Sequence, residues 1–196
     1  GTITIGSPEV TNVIATGTAL EQEVIGLAAA VERSVSHPLA DAIVNAAEQR
    51  EVALPETDNL RQIPGSGAVA EIGGLEVAVG RSTMGVLGEA AREAADRLAS
   101  EGSSVVCVFR AGAAIGVIGL SDRPRQEAAA AVADLRGLGV SSIAMITGDN
   151  SAAASAIANE VGIKDVRADL MPQDKLRIVE SIRERHGSVV MVGDGV

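Results

Sequence analysis

Two apolar runs in this chain each end on a glycine followed by an aspartate. Ile143-Ala144-Met145-Ile146 leads into Thr147-Gly148-Asp149-Asn150, and Val189-Val190-Met191-Val192 leads into Gly193-Asp194. Each run has the length of a buried strand. A helical pattern follows the first, at Ala152, Ala153, Ile157, Ala158 and Val161. The local reading is strand, tight turn, helix, with Asp149, Asn150 or Ser151 capping the helix. A helix N-terminus favours negative charge, phosphate included. Thr147 adds a hydroxyl, and Gly148 lets a backbone come close. Alone, this is a well-capped turn. Its recurrence at Gly193-Asp194 predicts a parallel sheet whose strand tips carry Asp149 and Asp194 into one crevice. Two carboxylates there suit a hard cation such as Mg²⁺, which in turn holds phosphate oxygens. Lys175, in Met171-Pro172-Gln173-Asp174-Lys175, falls in the first turn of a helix opened by Pro172. It is either a solvated helix lysine or a point charge for a phosphate at the strand tips.

A second group lies nearer the N-terminus. His37 precedes Pro38 and so caps a helix over 39–50, offering a flat, hydrogen-bonding surface to a nucleotide base. Glu32, five residues earlier, could accept from a base amino group or simply be solvated at a helix end. Gly65 and Gly67, in Ile63-Pro64-Gly65-Ser66-Gly67, would admit a flat ligand close to the backbone or simply form a bend.

The elements that must position these residues come in two styles. Gly1–Ile5 alternates like a strand, and Ser7-Pro8-Glu9 breaks it. Helices are expected over 20–33 and 39–50, with Pro55–Asn59 as loop. A hairpin is expected over 68–80 across Gly73-Gly74, then a helix from Met84 to Leu98. A second hairpin joins 104–109 to 114–120 across Ala111-Gly112. Helices with antiparallel hairpins make an α+β pattern. After Ser121-Asp122-Arg123-Pro124 the order becomes helix 125–138, strand 142–146, helix 151–161, an extended segment near Val166, helix 172–185 and strand 188–192, which is parallel α/β. The expected organisation is therefore a parallel domain from 1–10 and 119–196, with an α+β domain inserted at 11–118.

Composition narrows the function classes. The 196 residues carry 16 Lys and Arg against 26 Asp and Glu, a net charge of −10, which argues against a nucleic-acid partner. It leaves room for ATP, which needs only a local positive site. Phe109 is the sole aromatic, so the core is aliphatic and a base pocket must do without aromatic stacking. Cys107, within Val105–Phe109, is expected in the core, and a single cysteine excludes intrachain disulfides. No apolar run approaches the roughly 18 residues of a membrane span. A soluble, cytoplasm-type, monomeric piece is expected, with both ends looking cut.

Taken together, Gly1-Thr2-Ile3-Thr4, Glu32 with Ser36-His37-Pro38-Leu39-Ala40, Gly65-Ser66-Gly67, Asp122-Arg123-Pro124-Arg125, Ile146–Asn150, Pro172–Lys175 and Met191–Val196 resemble one family in order and spacing. The chain is similar to the cytosolic catalytic headpiece of P-type ATPases of the heavy-metal-transporting (P1B) branch, to which the His-Pro motif points. The resemblance implies a haloacid-dehalogenase-like phosphorylation domain with an inserted nucleotide-binding domain. It implies Glu32, His37, Gly65 and Gly67 around the adenine of ATP. It places Thr2, Thr147, Gly148, Asp149 and Lys175 around the phosphoryl group, and Asp194 on Mg²⁺. In the family an aspartate in Asp-Lys-Thr-Gly-Thr takes the γ-phosphoryl of ATP. The present chain opens on the last Gly-Thr of that motif, so it is expected not to autophosphorylate. Ser36 stands where the family often has glutamate, and Arg81 where many members carry asparagine. The implied activity is ATP-driven cation export from the cell membrane, of copper(I) or alternatively zinc or cadmium. A soluble haloacid-dehalogenase phosphatase with an α+β cap, or a non-catalytic nucleotide-binding module, are the other readings.

Overall fold

The computed structural model of the chain describes residues 2–148 and 151–193, and it divides into two compact units. One is Pro8–Ser121, and the other joins Gly1–Ser7 to Asp122–Val196. The sequence placed the boundaries at 10/11 and 118/119. Strands β1 (Glu9–Ala15) and β6 (Ala113–Ser121) pair along their lengths, so these residues stay in the sheet.

In Pro8–Ser121 the remaining strands are β2 (Asp58–Ile63), β3 (Gly67–Ile72), β4 (Leu75–Gly80) and β5 (Ser104–Arg110). The six form one antiparallel sheet in the order β1-β6-β5-β4-β3-β2. Successive side chains of a strand point to opposite faces. Accordingly Ala68, Ala70, Val77, Val79, Val106, Val108, Ile118 and Leu120 pack with helices α1 (Glu21–Glu32) and α2 (Pro38–Gln49). Their alternates Val69, Ala78, Cys107, Phe109 and Val117 pack with Ala94 and Leu98 of α3 (Glu89–Ser100). Phe109 is 1% exposed and anchors this second core.

Several elements differ from the sequence reading. Strands β1 and β2 were not expected. β2 has only one half-buried position, Leu60, so apolar alternation does not reveal it; pairing with β3 makes it a strand. The helix expected from Met84 begins only at Glu89. Ser82–Met84 is a 3-10 turn, and Val86 bridges to Ala113 instead. Among the described residues of the run expected as a strand, Thr2–Ile5, no strand forms; Thr4 makes a single bridge to Pro124, which lacks the N–H a ladder needs.

The second unit contains α4 (Ala128–Gly137), β7 (Ala144–Ile146), α5 (Ser151–Val161), β8 (Asp165–Arg167) and α6 (Pro172–His186). β7 and β8 are parallel. Val132, Met145, Ala154, Ala158, Val161 and Ile163 form its core, with Ile3 packed against them. The segment at 188–192, expected as a strand, is not one. Val190 and Val192 are 87% and 76% exposed, and no described strand lies beside them to supply a ladder. Thr2–Gly6 lies along Asp122–Arg125: Ile5 N–H donates to the Arg123 carbonyl (3.0 Å), Arg125 N–H to the Ile3 carbonyl (2.9 Å) and Gly6 N–H to the Asp122 carboxylate (3.2 Å). Among the described residues no helix is long and apolar enough to cross a membrane.

One close backbone approach constrains the sheet. Gly67 and Gly80 face each other in the β3–β4 register. A Cβ on Gly80 would lie 2.2 Å from the Ser66 carbonyl oxygen and 2.7 Å from the Gly67 Cα, at φ +152°. Gly73, in the hairpin turn at φ +58°, has nothing within 4 Å of such an atom. Gly80→Ala is expected to lose more than about 2 kcal/mol of stability, and Gly73→Ala only about 1 kcal/mol. Urea unfolding of both variants checks the contrast.

Candidate functional site

The candidate base-binding residues all belong to Pro8–Ser121. Glu32 is the last residue of α1, where the chain turns: Val35 N–H donates to the Glu32 carbonyl (2.9 Å). It is 8% exposed, against the alternative of a solvated helix end. Among the described residues no hydrogen bond or ion pair reaches its carboxyl group. Burial raises its pKa from 4.5 to about 7. A carboxyl group on a largely buried residue, with its pKa raised and its oxygens still open to solvent, has the properties of a ligand contact.

His37 is the N-cap of α2, in extended conformation, with Pro38 as the first helical residue. Its Nδ1 accepts the Leu39 N–H at 3.2 Å. With Nδ1 occupied as an acceptor, the neutral ring carries its proton on Nε2. That N–H and the ring face lie exposed, available to an acceptor on a flat ligand.

Gly65 and Gly67 behave differently. Gly65, at φ +72°, is exposed with open space where a Cβ would project. Gly67 has a structural requirement of its own, because a Cβ there would sit 2.1 Å from the Val79 carbonyl oxygen. The Gly65 turn is closed by the Ser66 N–H to the Ile63 carbonyl (2.9 Å). Arg81 N–H then donates to the Ser66 carbonyl (2.8 Å), which carries the β3–β4 pairing one step further.

In the second unit, Thr147 follows β7 directly. Its N–H donates to the Arg167 carbonyl (2.8 Å), and its own carbonyl accepts the Leu170 N–H (3.3 Å). The Leu170 carbonyl would lie 3.2 Å from a Cβ on Gly148. This ties the Thr147-Gly148 turn to the chain entering α6, whose first turn holds half-buried Lys175. The Asp174 carboxylate caps that helix, accepting the Met171 N–H at 3.2 Å. The Thr2 carbonyl accepts from Arg125 Nε (3.2 Å), and a Cβ on Gly193 would lie 3.8 Å from the Thr2 hydroxyl oxygen. So Thr2 lies beside the residue preceding Asp194. Asp149 and Asp194 themselves lie outside the described residues. Among the described residues no three His, Cys, Asp or Glu side chains group as a metal site, so no coordination is assigned.

Sequence reasoning gave no role to Asp122 and Arg125, which hold Thr2–Gly6 in place. The change of style at 121–124 marks their position, but the partner 116 residues away leaves no sequence signal.

The Glu32 shift has a thermodynamic consequence. The folded state holds the proton up to about pH 7, the unfolded chain only to about 4.5. Stability therefore falls as pH rises between these values and is level above them. Glu32→Gln removes this dependence. It is expected to raise stability at pH 8 by on the order of 1–3 kcal/mol and to leave it nearly unchanged at pH 4. Thermal unfolding of both proteins across this range checks it.

A family model described as haloacid dehalogenase-like hydrolase matches residues 1–196. The chain is 40% identical over 199 residues to the zinc/cadmium/lead-transporting P-type ATPase of Escherichia coli (strain K12), covering 100% of this chain and 26% of that protein. It is 37% identical over 200 residues to the copper-transporting P-type ATPase of Rhizobium leguminosarum bv. viciae, covering 100% of this chain and 24% of that protein. The solved catalytic domain of the CPx-ATPase CopB-B, described in terms of conformational changes upon nucleotide binding, superposes with a TM-score of 0.76 at 28% identity. That match covers 100% of this chain and 70% of that one. The chain spans about a quarter of the length of the curated relatives it matches. It belongs to the haloacid dehalogenase-like hydrolase family, in the heavy-metal (P1B) branch of the P-type ATPases.

Proposed function

We propose that this chain is the ATP-binding catalytic headpiece of a heavy-metal-transporting P-type ATPase. Pro8–Ser121 binds the nucleotide, and the unit of Gly1–Ser7 with Asp122–Val196 handles the phosphoryl group through an aspartyl-phosphate. The observation that carries the first half is the placing of Glu32, 8% exposed and with a raised pKa, at the end of α1, with His37 capping α2 just after the turn. As a carboxylate it accepts from the exocyclic amino group of adenine. His37 presents its Nε2–H and ring face to the base, and Gly65 allows the base to lie against the backbone. Thr147, Gly148, Asp149 and Thr2 line the phosphoryl end, where the Lys175 ammonium offsets the charge that develops on transfer. Mg²⁺ accompanies the nucleotide, with Asp194 as its protein ligand. The parent protein sits in the cell membrane, with this segment on the cytoplasmic side, as its relatives' names as transporters suggest.

Copper(I) is the proposed cargo, with zinc or cadmium as the second reading. Both kinds of ion stand in the names of the relatives. The ion that stimulates ATP hydrolysis by the parent protein decides between them.

The test is a calorimetric titration of ATP into the chain and its His37→Ala variant. Loss of the ring's hydrogen bond and stacking surface is expected to weaken binding by on the order of 1–3 kcal/mol, with the fold unchanged by circular dichroism. Equal binding by both proteins, or none by either, would overturn the assignment.

A further inference from the structure

We infer that the unit of Gly1–Ser7 with Asp122–Val196 carries an anion site for the phosphate group of a small phosphate ester, at the end of its parallel strands away from Thr147. The inference is independent of the nucleotide reading above, because it uses none of the same residues. The recess holds about 420 Å³, within the range of roughly 300–1,000 Å³ common among small-molecule sites. Two helix-to-strand turns build it. α4 ends at Gly137, and the chain turns at Gly139 (φ +91°) to enter β7. α5 ends at Val161, and the chain turns at Gly162 (φ +82°) to enter β8. β7 and β8 are parallel neighbours, so the two turns lie side by side at the N-terminal ends of the strands. The Thr147-Gly148 turn leaves from the other end of β7. A strand of three residues separates the two ends by roughly 10 Å.

The lining is rich in donors. Arg136, in the last turn of α4, reaches across to the other turn: its Nη2 donates to the Gly162 carbonyl, and a Cβ on Gly162 would lie 3.5 Å from its Nη1. That bond uses one of the five guanidinium N–H groups and holds the plane of the rest. Lys164, the residue before β8, also lines the recess, and among the described residues no carboxylate pairs with its ammonium. Ser141 and Ser142 add hydroxyls and backbone N–H groups that donate to no other described residue. The acid in the lining, Asp165, is taken by Arg167, at 2.8 Å. Cations and hydroxyls around one space select an anion with several acceptor oxygens, and a planar guanidinium beside an ammonium matches phosphate. Two positive charges answer the near-dianion of a phosphate monoester at neutral pH. Val140 and Ile143 add an apolar wall, which suits an ester with an organic body over the bare ion.

The experiment is a site-resolved titration. Phenyl phosphate, inorganic phosphate and, at matched ionic strength, sodium chloride are added to the intact chain, and assigned backbone amide signals are followed by NMR. Signals of Ser141, Ser142 and Lys164 report the recess, and those of Thr147 and Gly148 report the opposite strand ends. Phenyl phosphate is expected to move the recess signals along a saturable curve, with at least about threefold higher affinity than inorganic phosphate. Lys164 is exposed, so its replacement keeps the fold. Lys164→Ala, and Arg136→Lys, which keeps the charge but loses the planar fork, are each expected to weaken binding at the recess roughly three- to tenfold. Any response at Thr147 and Gly148 is expected to stay within about twofold of the parent's. No saturable shift at the recess, the same shifts with chloride, or unchanged affinity in Lys164→Ala would overturn the site. Equal affinity for inorganic phosphate would overturn the ester assignment. None of these outcomes touches the nucleotide reading, which fails only in the ATP titration.

Discussion

Glu32 is 8% exposed at the carbonyl end of α1, and its carboxyl oxygens keep an edge open to solvent. Burial disfavours its charged form, and the carbonyl end of α1 is the wrong end of a helix for an anion. Neither burden serves the fold. Ala28, Ala29 and Val31 already fill the space between α1 and the sheet, and a neutral side chain at position 32 would sit there with less strain. Under the proposed function, a ligand amino group supplies a donor to this carboxyl. Stability surrendered at one position for the sake of binding is a common property of functional sites.

Helix packing on the sheet sets where Glu32 lies. Helices α1 and α2 lie on one face of the sheet, joined by the short turn that separates Glu32 from His37. The β3–β4 hairpin brings the Gly65–Gly67 bend and Arg81 together at one end of the same sheet, through the Gly67–Gly80 approach. Regular strands and helices thus position the candidate base contacts, and only Gly65 sits in a turn. The second unit follows a different logic. Its Thr147-Gly148 turn is tied by backbone bonds to the chains after β8 and before α6, so that the strand tip and the helix carrying Lys175 are built as one piece.

The sequence was most readable where periodicity and burial coincide. Helices α1, α2 and α5 and both hairpins follow their apolar patterns closely, and α6 begins at the proline expected to open it. Strands β1 and β2 were not readable: the irregularity between Val10 and Asn12 breaks the alternation of β1, and β2, at the other edge of the sheet, has only Leu60 half-buried. The run at 188–192 misled in the opposite direction: β-rich composition does not make a strand without a neighbour to bond to. The candidate residues could be named from motif and spacing, but their physical state could not. Nothing in the sequence distinguishes a buried Glu32 from a solvated one. Nor does it reveal that Gly67 answers to Gly80 thirteen residues later, or that Asp122 caps the N–H of Gly6.

Nucleotide binding as proposed requires Glu32 to receive a hydrogen bond from a base amino group. The direct test is a calorimetric comparison of adenosine with inosine, which lacks that group, run at pH 7 in two buffers of different ionisation enthalpy. The account predicts that adenosine binds at least about tenfold more tightly, because a site built to bond a polar group rejects the analogue that leaves it unpaired. It also predicts that adenosine binding releases protons, since a donor to the carboxylate lowers the Glu32 pKa from about 7. Equal affinities for the two nucleosides, with no proton release, would contradict it.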